Sequence, residues 1–278
     1  MVHGGEWPTV AILGVNISVA PFESTAATLV EIARTPSNNG SRYACATSVH
    51  GLIEADRDPE FRRILNKAAF VVPDGMPLVW FGRLRRHREM ERVYGPSLMK
   101  RVCALSAEHG LRHFFYGGAP GVADDLARRM LGEFPGLQVA GTYCPPFRTL
   151  RDDELDQVAK LINDAGADIV WVGLSTPKQE RWIGAVRDKL ESKLLVSVGA
   201  AFDFHTGRVR QAPNWMQASG LEWIFRLSRE PRRMWRRYGY NNPRFIYLAT
   251  LQLAGLKDFS DHDDPVSDRD DEMTSKWN

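Results

Sequence analysis

The sequence predicts a Rossmann-like α/β fold, a largely parallel sheet flanked by helices, with a C-terminal helical appendage. Three features point there. From residue 9 to about 200, short apolar runs alternate with longer amphipathic stretches. Polar or glycine-bearing segments follow the apolar runs, at the strand ends where open α/β sheets bind ligands. After Gly207 the pattern turns helical and basic.

Taken in order, strands are expected over residues 10–19, 43–49, 70–73, 113–116, 137–142, 168–174 and 194–198, because these runs are rich in β-branched and aromatic residues. Helices are expected over 24–33, 58–69, 122–134, 152–165 and 177–190, where apolar residues recur at helical spacing. Beyond Gly207, Pro213, Pro231 and Pro243 each stand where a new helix can open, since proline costs no hydrogen bond in a first turn. The chain thus divides into an α/β domain (1–207), an arginine-rich helical appendage (208–257) and an acidic tail (258–278). The tail holds eight acidic and two basic residues with few apolar side chains, the composition of a disordered segment.

A chain of 278 residues with 44% hydrophobic content can build a core without staples. Its three cysteines, Cys45, Cys103 and Cys144, are odd in number and lack CxxC spacing, which suits a reducing compartment and argues against a zinc site. The N-terminus shows no cationic start followed by an apolar run, so a cytoplasmic protein is expected. The longest apolar stretch, residues 245–256, would span about 18 Å as a helix, enough to lie on a bilayer but not to cross it.

Charge is concentrated rather than spread. Between Arg208 and Arg244 lie nine arginines, no lysine and only two acidic residues, Glu222 and Glu230. Guanidinium forks interleaved with Trp223, Phe225, Trp235, Tyr238 and Tyr240 suit a polyanion: a nucleotide diphosphate, an anionic membrane surface or nucleic acid. A plainly solvated face is the alternative.

Among the strand ends, Asp74 follows an apolar run and precedes Gly75, placing a carboxylate where a ligand can approach closely. It can serve as a general base, or merely cap the helix that starts near Met76. Gly117 and Gly118 open a glycine turn that could cradle a phosphate or be a plain tight turn; it matches neither dinucleotide nor P-loop fingerprints. Thr176-Pro177-Lys178-Gln179-Glu180 reads as a helix start, with Thr176 as N-cap and Gln179 in capping-box spacing. Asp261-His262-Asp263 and Asp268-Arg269-Asp270 look like metal-binding DxD motifs but fall in the acidic tail and are read as accidents of composition.

Several ordered segments resemble one family: Val71-Val72-Pro73-Asp74-Gly75-Met76-Pro77, the Tyr116-Gly117-Gly118 turn, Pro145-Pro146-Phe147, Gly173-Leu174-Ser175-Thr176-Pro177-Lys178-Gln179-Glu180, Gly199-Ala200-Ala201-Phe202-Asp203-Phe204 and Gly220-Leu221-Glu222-Trp223. Together they resemble the WecG/TagA/CpsF glycosyltransferase family (glycosyltransferase family 26), from about Ile12 to about Leu256. The resemblance implies inverting transfer of a sugar, such as N-acetylmannosamine, from a UDP-sugar donor to a lipid-linked saccharide acceptor at the inner membrane face, with no metal and no cofactor. It implies Asp74 as catalytic base, Gln179 as a substrate contact, Asp203 on the nucleotide side, and Arg226, Arg233 and Arg236 closing over the donor diphosphate. Where many members carry Thr-x-Asn, this chain has Ala46-Thr47-Ser48, leaving Thr47 or Ser48 as the substitute contact.

Two other classes compete. A non-enzymatic protein could use the arginines on nucleic acid or anionic lipid, although no nucleic-acid motif is present, so no nucleic-acid partner is expected. An oxidoreductase on the same fold would need the dinucleotide fingerprint. A homo-oligomer is compatible with the sequence.

Overall fold

The computed structural model describes residues 7–36 and 40–259. Both DxD motifs and all but Asp258 and Phe259 of the acidic tail lie outside the described residues.

The chain opens with β1 (Thr9–Ile12) and β2 (Val15–Ser18), an antiparallel hairpin. The single strand expected over 10–19 is therefore two. Leu13 and Gly14 both take positive φ, 50° and 78°, the two-residue turn that matches strand twist in a hairpin. Then follow α1 (Phe22–Arg34), β3 (Arg42–Thr47), α2 (Val49–Arg57), α3 (Pro59–Asn66), β4 (Phe70–Pro73), α4 (Met76–Leu84) and α5 (Gly95–Ala107). Next come β5 (Arg112–Gly117), α6 (Val122–Glu133), β6 (Gln138–Tyr143), α7 (Asp152–Asp164), β7 (Ile169–Gly173), α8 (Lys178–Val186) and β8 (Leu194–Ser197). The chain closes with α9 (Ala201–His205), α10 (Asn214–Ala218), α11 (Glu222–Arg229) and α12 (Pro231–Leu253).

Six strands form one wholly parallel sheet in the order β4-β3-β8-β7-β5-β6, so all carboxyl ends share one edge. Helices cover both faces, which explains why β7 and β8 read as nearly continuous apolar runs. Alternate residues feed separate cores. Val170, Val172 and Leu195 join the hairpin, α2, α3, α8 and α12 on one face, while Ile169, Trp171, Leu194 and Val196 join α1, α5, α6 and α9 on the other.

Two C-terminal expectations change. Pro231 opens α12 as expected, but Pro243 lies inside it. Proline removes one backbone hydrogen bond there. The following turns are held instead by burial of Phe245, Leu248 and Ala249 in the core beneath α2 and the hairpin. Gln252 fastens them further, its Oε1 accepting from Leu13 N (3.1 Å) and its Nε2 donating to Ala11 O (3.1 Å). The apolar stretch 245–256, expected to be able to lie on a bilayer, therefore has one face packed into the body; Ile246 and Tyr247 are on the exposed face.

Candidate active site

Asp74 follows β4 directly, and its N–H donates to Thr47 O at the end of the neighbouring β3 (2.9 Å). Its side chain does not cap α4, whose N-cap position is Gly75. Instead Oδ1 accepts from Gly95 N (2.8 Å), the first residue of α5, so the carboxylate meets a different helix N-terminus. Burial nevertheless pushes its pKa up; Arg92, the Gly95 N–H and Arg226 work against this, and Glu222 adds to it.

Asp74 lines an open cleft at the strand-end edge, between the α/β body and α10–α12. The body supplies Ser48, His50, Asp74, Met76 and Arg92; the appendage supplies Gln217, Glu222, Trp223, Arg226, Arg237, Tyr238 and Asn241. Arg92 ties the halves together. Its Nε donates to Asp74 O (2.6 Å), one terminal nitrogen to Gln217 O (3.2 Å) and the other to Glu222 Oε2 (2.5 Å). Its guanidinium lies 4.2 Å from the Tyr94 ring centroid, and Tyr94 OH donates to Glu222 Oε1 (3.3 Å). Glu222 opens α11, and Arg226 lies one turn later on the same face. The Arg226 guanidinium sits 5.6 Å from the Phe204 ring centroid, and its buried Nε has no hydrogen-bond partner among the described residues.

His50 accepts at Nδ1 from Asn241 Nδ2 (2.9 Å), joining α2 to α12. Burial and the Arg237 charge pull its pKa down to about 4, so it is neutral at pH 7. The Asp56–Arg244 ion pair (2.6 Å) fixes the same two helices.

The other expected site residues divide. Ser48 lines the cleft; Thr47 is 2% exposed and meets the site through its backbone. Gln179 is 1% exposed and does not line it: Oε1 accepts from Gly199 N (3.0 Å) and Nε2 donates to Glu180 Oε1 (2.8 Å). The capping box is not formed either. Helix α8 has Pro177 at its N-cap, and the Thr176 hydroxyl donates to Glu180 Oε1 (3.0 Å) instead of accepting from the backbone. Burial raises the Glu180 pKa.

Gly117 and Gly118 lie farther along the sheet edge. The Gly118 N–H is used on Gly173 O (3.0 Å); a Cβ on Gly117 would lie 2.5 Å from that carbonyl oxygen, so Gly117 permits close packing of β5 on β7, while a Cβ on Gly118 would meet Val122 of α6 at 2.8 Å. Asp124 and Asp125 in the first turn of α6 also oppose an anion at this turn. Asp203 lies in α9, beside the Phe204 that underlies Arg226, and does not line the cleft. Arg236 is exposed on α12. Arg233 belongs to that helix, but its side chain is outside the described residues. Sequence reasoning missed Arg92, Glu222, His50 and Asn241 as site residues; the one available signal was Glu222, which stood inside a segment already noted.

Among the described residues, no helix is long and apolar enough to cross a membrane, and no group of three or more His, Cys, Asp or Glu is arranged to hold a metal ion. Comparison with known proteins adds the chemistry's context. The model of the glycosyl transferase WecG/TagA/CpsF family matches residues 10–258. An N-acetylglucosaminyldiphosphoundecaprenol N-acetyl-beta-D-mannosaminyltransferase of Bacillus subtilis (strain 168) is 32% identical over 205 residues, covering 74% of this chain and 77% of that protein. The enzyme of the same name from Bacillus spizizenii is 32% identical over 200 residues, covering 72% and 75%.

Proposed function

This chain belongs to the glycosyl transferase WecG/TagA/CpsF family, and we propose that it moves an N-acetylhexosamine, N-acetylmannosamine by the relatives' names, from a UDP-sugar to a polyprenyl-diphosphate-linked N-acetylglucosamine. One observation carries this reading: Asp74 and Arg226 line one cleft, which pairs a buried carboxylate with the countercharge that a departing diphosphate needs.

The acceptor hydroxyl oxygen attacks the anomeric carbon on the face opposite UDP, and its proton passes to Asp74. The bond from that carbon to the β-phosphate oxygen breaks, its electron pair leaves with UDP, and the configuration inverts. Burial raises the proton affinity of Asp74, which strengthens it as a base. Negative charge grows on the departing diphosphate, where Arg226, with Arg233 and Arg236 from α12, supplies countercharge in place of a divalent ion. Ser48 is the better placed of the two Thr-x-Asn substitutes. Gln179 acts by holding Gly199 in the β8–α9 connection beside the cleft.

A polyprenyl acceptor lies in a bilayer, so the enzyme works as a peripheral protein on the inner face of the cell membrane, in the synthesis of a cell-surface polysaccharide. Exposed Trp215, Trp223 and Trp235 on α10–α12 suit that interface. The test is transfer of labelled N-acetylmannosamine from UDP to N-acetylglucosaminyl-diphosphoryl polyprenol in chelator. A disaccharide-lipid with inverted anomeric configuration is expected; no transfer with any UDP-N-acetylhexosamine would overturn the reading.

A further inference from the structure

The tip of α4 carries a second apolar and cationic patch, on the α/β body rather than on the appendage. Trp80 and Leu84 are four residues apart, hence on one helix face, and are 45% and 70% exposed. Arg85, Arg86 and Arg88 follow, all exposed, with Arg86 at φ 72° turning the chain. Among the described residues none of these three guanidinium groups has an ion-pair partner; the nearby Glu89 carboxylate faces His87 (4.0 Å). Several surface arginines elsewhere are compensated, as in Arg101–Glu23, Arg148–Glu154 and Arg181–Asp58, while others, such as Arg63 and Arg210, are exposed without an ion-pair partner among the described residues and without large exposed apolar neighbours arranged as Trp80 and Leu84 are here. The α4 tip thus combines large exposed apolar side chains with uncompensated positive charge.

Its position gives this combination a direction. Helix α4 begins at Met76, in the cleft wall, and runs outward. Trp80 is packed over Gly220, where a Cβ would come within 2.6 Å of its ring, and Gly220 joins α10 to α11. The exposed face of α4 therefore continues the aromatic surface beside the cleft.

We propose that the α4 tip, Trp80 to Arg88, is a docking surface for an anionic lipid bilayer, a contact made by the α/β body independently of α12. Guanidinium forks match lipid phosphates, tryptophan favours the headgroup layer, and Leu84 reaches the acyl boundary. Three such cations raise affinity for an anionic bilayer by about 10²-fold at moderate salt. With α4 held against lipid, the cleft mouth stays at the level where a diphosphate headgroup emerges.

The experiment is flotation of the full chain with phosphatidylcholine vesicles containing about one-third phosphatidylglycerol, and with phosphatidylcholine alone, because the charge argument requires discrimination between them. Wild type should float with the anionic vesicles. The triple variant Arg85→Glu, Arg86→Glu, Arg88→Glu, and separately Leu84→Asp, should lose at least tenfold in bound fraction while keeping the wild-type melting temperature and UDP affinity. Flotation of both variants like wild type would overturn the proposal, as would a wild type that stays in solution. So would a wild-type dimer in sedimentation velocity that the triple variant splits without changing flotation, which would make the face a contact between two copies. UDP binding is measured without vesicles, so failure here leaves the transferase reading untouched, and failure to bind UDP leaves the lipid contact standing.

Discussion

Arg92 and Glu222, 130 residues apart in the chain, form a half-buried ion pair at 2.5 Å that joins the body to the appendage across the cleft. Because Arg92 also holds the Asp74 carbonyl, the pair couples the position of α11, and with it Arg226, to the candidate base. The two charges act on Asp74 in opposite senses, Arg92 lowering its pKa and Glu222 raising it. Glu222→Gln should therefore move the acid limb of the kcat/KM profile to lower pH, and Arg92→Gln should move it higher. Each should also cost about 1–3 kcal/mol of stability, because each leaves its partner without a countercharge. An unshifted acid limb in both variants would show that neither charge reaches Asp74.

Asp74→Asn keeps an acceptor for Gly95 N while removing the candidate base. Turnover should fall by roughly 10²-fold or more, with the melting temperature unchanged or raised, since a buried charge disappears. Full activity in a steady-state assay would move the base elsewhere.

Leu248→Ala tests how separable the appendage is. Leu248 is 5% exposed within the core cluster that also holds the hairpin and α2. The substitution should cost about 2–4 kcal/mol and lower a single cooperative unfolding transition of the whole chain. A separate early transition would mean that α12 folds apart from the body.

His113 is fully buried, accepting from Trp171 Nε1 (2.8 Å) at Nδ1 and meeting Ser106 Oγ (2.7 Å) at Nε2. Ser106 donates to Val102 O, so the arrangement fits a neutral imidazole, and burial lowers its pKa to about 4. The sign follows from linkage: above the unfolded pKa near 6.5 both states are neutral and the contribution is complete. As pH falls from there towards 4, only the unfolded chain gains the proton and stability is lost, up to about 3 kcal/mol. Urea unfolding at pH 7.5 and 4.5 should show this, and His113→Phe should reduce the difference. His50 acts in the same direction, with a smaller effect because it is partly exposed.

The central sheet was legible because strands buried on both faces are written as apolar runs, as in β7 and β8. Less legible was α2: it starts two residues after β3, and Val49 reads as a continuation of the strand. The Leu13-Gly14 turn was hidden inside an apolar run, and Pro243 misled because packing of Phe245 and Leu248, not backbone preference, keeps α12 continuous. Asp74 stood out as a carboxylate at a strand end beside glycine. Arg92 could not, being an arginine in a loop with no periodicity; only the fold brings it to Glu222. The arginine run was visible as charge, but not its division of labour: Arg226 and Arg237 line the cleft, while Arg244 pairs with Asp56.

The most direct measurement is calorimetric titration of UDP, in chelator, into wild type and Arg226→Ala. Metal-independent binding by wild type, weakened at least tenfold in Arg226→Ala with the fold intact, is expected if the cleft holds a nucleotide diphosphate against α11. Equal affinity in the two proteins, or no UDP binding by wild type, would contradict it.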